Sequence, residues 1–422
     1  MRILTISNLY PPDVVGGYEI ACRQAVEALL ERGHDVQVLT TPGRSPSPRV
    51  AHVDRALRLT DPFSQFVNRL STLSTIRLMD SGSYRLDAFN VDRTFEALER
   101  FQPDVVYLWN LLGIGGLGLL AALKHRRVPW VWHLMDNVPS YLCRWNSLGP
   151  NRLIAEVARQ LRGRYVACSR RVVDEIERDG IPLLPEVELI PNWAGGPPGS
   201  DRSSRASSGR LRIISAGRIT PEKGVGVLIE SARVLRDRGI ESFEIDIFGR
   251  LLDHEYPALV HRYGLEGWVS FKGELPNAEL VKRYADYDVF AFPTWEREPF
   301  GIAPLEAALH GCVPIISRLC GISEWLVDGV HCLKADRTPE AFADRFQTVI
   351  DRTVDLGPIA ARAQRVVSRE FRVEAVIPRI EAILERASRE SRAGAGSTEE
   401  FHRLAIIAER LARIIVQEGC AA

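Results

Sequence analysis

RILTISNLYPPDVVGGYEIACRQAVEALLERGHDVQVLT, residues 2–40, is one complete strand–helix–strand unit. The apolar run Ile3–Ile6 reads as a strand over 2–7. Pro11-Pro12 and Gly16-Gly17 break it into a loop. A helix follows over about residues 18–32 and stops at Gly33. A second strand is predicted at 36–40. Outward from this unit the alternation continues, with strands predicted at Val105–Trp109, Val128–Leu134 and Tyr165–Ala167. Strands alternating with helices indicate βαβ units and a mainly parallel sheet. The stretch 43–95 has only weak periodicity and reads as a lid or acceptor loop.

A second α/β half restarts after residues 193–210, whose Gly, Pro and Ser content is that of a linker. Strands are predicted at 211–216, 243–248, 268–271, 288–292 and 313–316. Residues 359–389 read as helix. The expected organisation is a first domain at 1–195, a linker at 196–210 and a second domain at 211–365. A helix at 366–390 is expected to cross back to the first domain, and 391–422 form a tail. In that tail a helix at about 398–417 sets Leu404, Ile407, Leu411, Ile414 and Ile415 on one face. It reads as docking on the protein body or a second subunit. Membrane-surface binding is the other reading, because Arg403, Arg410 and Arg413 flank the stripe.

With 422 residues there is material for two full cores. The formal net charge of zero gives no sign of a nucleic-acid partner. The cations are five lysines and 49 arginines, and arginine suits phosphate recognition. Seven dispersed cysteines without a CxxC pair argue for reduced thiols and a cytoplasmic chain. The apolar run after Met1-Arg2 is too short for a signal peptide, and no stretch reaches membrane-spanning length.

Two segments carry most of the chemistry. Ala216–Gly224 follows a strand and opens a helix, placing Arg218 and Lys223 near a helix N-terminus. The helix dipole disfavours cations there by roughly 0.3–1 kcal/mol each. Two such cations make sense around a bound anion, and a diphosphate fits. Glu298-Pro299-Phe300-Gly301-Ile302-Ala303-Pro304-Leu305-Glu306 sets two carboxylates eight positions apart. Glu298 belongs in a loop and Glu306 inside the helix that Pro304 helps to start. Open amides near Phe300, Gly301 and Ile302 suit an anion, and the acids suit a polyhydroxylated group. Gly16-Gly17 offers another glycine-lined helix start, which lets a ligand approach the backbone closely.

In this order the pieces resemble the retaining nucleotide-sugar glycosyltransferases of family 4, with the GT-B fold of two facing Rossmann-like domains and a cleft between them. The matching residues are Pro11-Pro12 with Gly16–Glu19, Arg32–Val36, Ser169-Arg170, Ile190–Asn192, Gly217–Gly224, Glu298–Glu306 and Gly321–Glu324, over roughly residues 1–385. The resemblance implies that Arg218 and Lys223 neutralise a donor diphosphate, and that Glu298 faces the sugar. It implies that the amides of Phe300, Gly301 and Ile302 bind sugar hydroxyls or phosphate. Glu306 would accept from the ribose, and Gly17 would approach the phosphate or acceptor. Gly16, Asn110 and Asp136 fall on the acceptor side. The donor would be a UDP- or GDP-sugar, with no cofactor and no metal. The acceptor would be a saccharide, a lipid-linked group or a small molecule, as in bacterial cell-surface polysaccharide or glycolipid synthesis. A homodimer and peripheral contact at the inner face of the membrane are carried as partner expectations.

Two positions depart from the pattern. Met135 stands where a histidine is expected before Asp136, and His133 shares its strand face and is the candidate substitute, with a plain strand-end histidine as the other reading. Trp193 replaces a glycine after Pro191-Asn192. A rival reading starts from Gly113-Ile114-Gly115-Gly116-Leu117-Gly118, a GxGxxG followed by Asp136, which fits an NAD(P)-dependent oxidoreductase. A GT-B sugar-nucleotide epimerase, a phosphorylase and a non-catalytic subunit keep the fold and change the chemistry.

Overall fold

The computed structural model describes residues 1–43, 50–59, 86–146, 149–150, 163–199, 209–251 and 255–391. The helix expected at 398–417 lies outside these residues. So do most of the weakly periodic stretch at 43–95 and the centre of the 196–210 linker. The chain divides into two compact units. The first comprises Met1–Cys168, Val172–Ile190 and Ile377 onward; the second comprises Ser169–Arg171 and Pro191–Val376.

In the first unit the strands are β1 (Arg2–Ile6), β2 (Asp35–Leu39), β3 (Val53–Asp54), β4 (Val105–Leu108), β5 (Trp130–Leu134), β8 (Gly163–Ala167) and β9 (Pro185–Leu189). They form a parallel sheet in the order β3-β2-β1-β4-β5-β8-β9. A small antiparallel pair, β6 (Arg144–Asn146) and β7 (Gly149–Pro150), stands apart. The four residues of β4 and the five of β5 are all buried, as expected of strands covered on both faces.

Helix α1 (Gly17–Glu31) forms because Ala21, Cys22, Ala25, Val26 and Leu29 make one apolar stripe that packs inward. It ends in a left-handed Gly33, whose amide returns to the Leu30 carbonyl. Helices α2 (Ala88–Phe101) and α3 (Gly116–His125) pack side by side. Two shorter helices follow, α4 (Val138–Cys143) and α5 (Arg170–Arg178).

The second unit holds β10 (Leu211–Ala216), β11 (Phe243–Phe248), β12 (Val269–Gly273), β13 (Val289–Phe292), β14 (Val313–Ser317) and β15 (Leu333–Ala335). Their order is β12-β11-β10-β13-β14-β15, with parallel neighbours throughout. Helices α6 (Val225–Asp237), α7 (Glu255–Arg262), α8 (Asn277–Arg283), α9 (Ala303–Leu309), α10 (Pro339–Ile350) and α11 (Leu356–Glu370) surround it. Ile213, Ile245, Val289 and Ile315 share a core with Leu228, Phe342 and Phe346 from α6 and α10.

The single helix expected over 359–389 is two helices, α11 and α12 (Val373–Ser391), broken at Phe371-Arg372. The break has a partner: Ala194 donates its amide to the Phe371 carbonyl at 2.9 Å and bridges Arg372. From Ile377 on, α12 belongs to the first unit. There Glu381 accepts from Arg32 Nε at 2.8 Å and meets His34 Nε2 at 2.6 Å. Among the described residues no helix is long and apolar enough to cross a membrane.

In each sheet the chain changes direction next to its first strand, between β1 and β4 and between β10 and β13. The carboxyl ends of those neighbours are the switch points at which open α/β sheets bind ligands. Beside the second, where β11 and β10 end, the backbone closes tightly. Gly249 has φ +142°, and a Cβ there would stand 1.7 Å from the Gly217 carbonyl oxygen. Gly249→Ala is therefore expected to cost about 2 kcal/mol or more, read as a lower unfolding midpoint by circular dichroism. An unchanged midpoint would show that these strand ends tolerate separation.

Candidate functional site

At the second unit's switch point β10 is followed by Gly217 and Arg218. The chain then bridges Leu251 through Ile219 and makes a one-turn 3-10 helix, Pro221–Lys223, before α6 begins. Gly224 joins the two turns. It has φ +76°, and a Cβ would stand 1.9 Å from the Pro293 carbonyl oxygen, so this turn lies directly on the end of β13. That contact carries Lys223 to the loop after β13. The Lys223 ammonium pairs with Glu298 Oε2 and lies 5.8 Å from the centre of the Phe292 ring. Thr294 adds a hydroxyl donor to the same oxygen at 3.1 Å. The Glu298 side chain is only 11% exposed, and no described residue donates to its Oε1. Lys223 thus answers a buried carboxylate within its own unit. Arg218 is exposed and makes no hydrogen bond or ion pair among the described residues.

The 298–302 loop is held from outside. Gly321 donates its amide to the Glu298 carbonyl at 3.0 Å, and Ile322 to that of Phe300 at 2.8 Å. The Ser169 hydroxyl donates to the Pro299 carbonyl at 2.7 Å. With those carbonyls occupied, the amides of Phe300, Gly301 and Ile302 remain without acceptors among the described residues. They precede α9, where Glu306 sits in the first turn. Burial pushes the Glu306 carboxyl above its usual range, and the bond from Asn277 Nδ2 at 3.3 Å opposes that. Neutral or charged, it presents oxygen to whatever enters beside Asn277.

The first unit brings its predicted residues to the carboxyl ends of β1, β4 and β5. Asn8 donates its amide to the Asn110 carbonyl at 2.7 Å, and Asn110 Oδ1 accepts from Leu112 at 3.1 Å. Gly16 caps α1 and, with Gly17, is exposed. Two residues quoted in the sequence pattern but given no role there hold this turn. Glu19 accepts from the amides of Val15 and Gly16 at 3.1 and 2.9 Å. The Tyr18 hydroxyl donates to the His133 carbonyl at 2.8 Å and accepts from the Met135 amide at 3.1 Å. The signal for Glu19 was present: a glutamate three residues after an N-cap position is half of a capping box. Asp136 follows the strand end and caps the Asn137 amide at 2.8 Å.

His133 is placed differently from the sugar-contacting histidine it was expected to replace. Its ring is fully buried, 4.5 Å from that of Trp109, and Nδ1 meets the Tyr107 hydroxyl at 2.7 Å. Burial lowers its pKa to about 3. The 113–118 glycines are likewise inside. A Cβ on Gly115 would stand 2.5 Å from the Asp87 amide nitrogen, and one on Gly116 2.8 Å from Leu111 and Leu142. These glycines let α3 pack closely against α2 and leave no room for a dinucleotide. The oxidoreductase reading falls on that packing.

Two parallel-sheet Rossmann-like units, each with its polar residues at the switch point, define a GT-B glycosyltransferase. Comparison with known families agrees: residues 16–193 match the model "Glycosyl transferase 4-like domain" and 200–364 match "Glycosyl transferases group 1". The chain belongs to the GT-B glycosyltransferases of family 4 type. It is 28% identical over 390 residues to a glycogen synthase of Mycobacterium tuberculosis, covering 88% of this chain and 90% of that one. Among solved structures it shares its fold with sucrose-phosphate synthase from Thermosynechococcus elongatus. The TM-score is 0.69 at 16% identity, over 91% of this chain and 98% of that one. The Anabaena protein Alr3699/HepE, solved with UDP and glucose, gives 0.63 at 18% identity over 92% and 100%.

Because the folded pKa of His133 lies below the unfolded value, the unfolded chain takes up the proton first as pH falls. Stability is full above about pH 6.5 and declines toward pH 3. Between pH 7 and 5 the chain is expected to lose about 2 kcal/mol more than His133→Gln. Urea unfolding at the two pH values measures this; equal losses would mean that the ring titrates freely.

Proposed function

We propose that this chain is a retaining transferase that moves a sugar from a nucleoside diphosphate sugar to an acceptor hydroxyl. The observation that carries the reading is the grouping at the β10/β13 switch point. Arg218 follows β10, Lys223 pairs with the buried Glu298 carboxylate after β13, and three open amides follow that carboxylate in its loop. Arg218 and Lys223 neutralise the diphosphate and the charge that grows on it as the glycosidic bond breaks. Such stabilisation is the largest protein contribution where charge develops on a leaving group. They take the place a divalent cation holds in other transferases. The amides of Phe300, Gly301 and Ile302 take the remaining phosphate oxygens or sugar hydroxyls. Glu298 Oε1 faces the sugar, and Glu306 accepts from the ribose.

Retention follows if the acceptor enters on the face from which the diphosphate departs. The departing phosphate oxygen then takes the acceptor's proton, the bond from the anomeric carbon to phosphate breaks, and the bond to the acceptor oxygen forms. Asn110, Asp136 and the Gly16-Gly17 turn, at the strand ends of the first unit, bind the acceptor. The product is a polysaccharide, glycolipid or other glycoconjugate made in the cytoplasm. The six described cysteines are all free and buried, which suits a reducing compartment.

Isothermal calorimetry against UDP, GDP and ADP and their common sugar conjugates tests the donor site. One nucleoside diphosphate should bind, and Arg218→Ala and Lys223→Ala should each weaken it about tenfold or more, with unchanged circular dichroism. Glu306→Gln should also weaken it. Full affinity in all three variants would place the donor elsewhere.

A further inference from the structure

Thr294 stands two residues after the end of β13, fully buried, and its surroundings fix it from two sides. Its carbonyl accepts from Ser317 Oγ at 2.7 Å, and the next amide, Trp295, donates to the Glu222 carbonyl at 2.9 Å. Its own hydroxyl lies within reach of two acceptors, the Glu222 carbonyl at 3.3 Å and Glu298 Oε2 at 3.1 Å. A hydroxyl carries one hydrogen and donates to one acceptor at a time. It rotates to suit, whereas the backbone on either side of it is tied by those two hydrogen bonds.

Glu298 Oε2 also holds Lys223. While the lysine is in place the carboxylate is compensated, and the Thr294 proton is the lesser of its two donors. A diphosphate arriving at Arg218 carries more negative charge than a carboxylate, and it competes for the same ammonium. When Lys223 turns toward it, Glu298 becomes a buried carboxylate whose one remaining donor among the described residues is Thr294. A hydrogen bond to an ionised acceptor is about twice as strong as a neutral one, so the hydroxyl then commits to Glu298 rather than to Glu222.

We propose that Thr294 is a positioning residue that keeps the Glu298 carboxylate aimed at the sugar once Lys223 has left it for the donor diphosphate. This rests on the transferase reading above. It assigns the hydroxyl a duty that begins only with donor bound. Loss of the hydroxyl therefore acts mainly on the chemical step and weakens nucleotide binding by no more than that one hydrogen bond, whereas Arg218, Lys223 and Glu306 govern affinity.

The test compares Thr294→Val, which keeps the shape and removes the hydroxyl, with Thr294→Ser, which keeps the hydroxyl. Thr294→Ala repeats the first comparison should the valine variant not fold. Release of nucleoside diphosphate from the preferred donor gives kcat and KM, calorimetry gives the Kd of the nucleoside diphosphate, and melting monitors the fold. Removing the hydroxyl is expected to lower kcat about 10- to 100-fold, with Kd raised by less than about tenfold, and Thr294→Ser should restore most of kcat. A purely structural threonine would lower the melting temperature and leave kcat of the folded enzyme intact. That result overturns the proposal, as does a serine variant as slow as the valine one. A wild-type chain that neither binds nor cleaves any nucleotide sugar removes the transferase reading itself, a failure visible before any variant is made.

Discussion

A carboxylate taken out of water must be met by charge and by hydrogen-bond donors, and Glu298 is the group here whose requirement arranges its neighbours. Breaking a buried charge pair costs several kcal/mol, because the group left behind has no compensation. Lys223 and Thr294 answer that requirement from two different βα loops. For the lysine to arrive, the turn after β10 must lie against the end of β13, and only a residue without a side chain permits the contact at Gly224. For the carboxylate to stay, the loop that carries it is tied at three consecutive carbonyls, by Gly321, Ser169 and Ile322. Those ties use up the loop's acceptors and leave its amides open. The charge pair and the open amides are thus two results of one backbone arrangement.

The first unit solves a similar problem with neutral groups. Its glycine turn is fastened by Glu19 below and by the Tyr18 hydroxyl across to the end of β5. Burial raises the Glu19 carboxyl while the two amides it accepts from work against that. Behind the turn lies a layer of rings, with Tyr18, Tyr107 and His133 each within about 6 Å of Trp109. The polar residues at this end of the sheet include Asn8, Asn110 and Asp136, and Arg55 after β3 donates to the carbonyls of Tyr10, Pro11 and Thr41.

Much of this was legible in the sequence. The parallel α/β halves followed from apolar runs punctuated by glycines, and Arg218, Lys223, Glu298 and Glu306 stood out by charge at helix starts. The elements passed over were those with weak local signals. β9 begins with a proline and alternates glutamates, Pro-Glu-Val-Glu-Leu, and its pairing with β8 overrides that composition. β15 is three residues long. The break before α12 contains neither glycine nor proline and exists because the Ala194 amide claims the Phe371 carbonyl. His133 was misplaced for a related reason: strand alternation tells which face a side chain takes, not how deep that face lies. Thr294 gave no signal at all, since its importance comes from neighbours 4 and 72 residues away.

The last described helix has a consequence for how the chain is made. Residues from Ile377 complete the first unit, where Ile380, Ile383 and Leu384 are buried and Arg379 and Arg386 bond Leu189 and Glu188 of β9. During synthesis domains generally fold in the order in which they leave the ribosome. Here the earliest strands wait for one of the latest segments. The second unit, continuous from Pro191 to Val376, has all but three of its residues in one uninterrupted stretch and can settle first. The chain therefore matures from its middle outward, and a ribosome that stops short of α12 releases a nascent protein whose first sheet still lacks its closing helix.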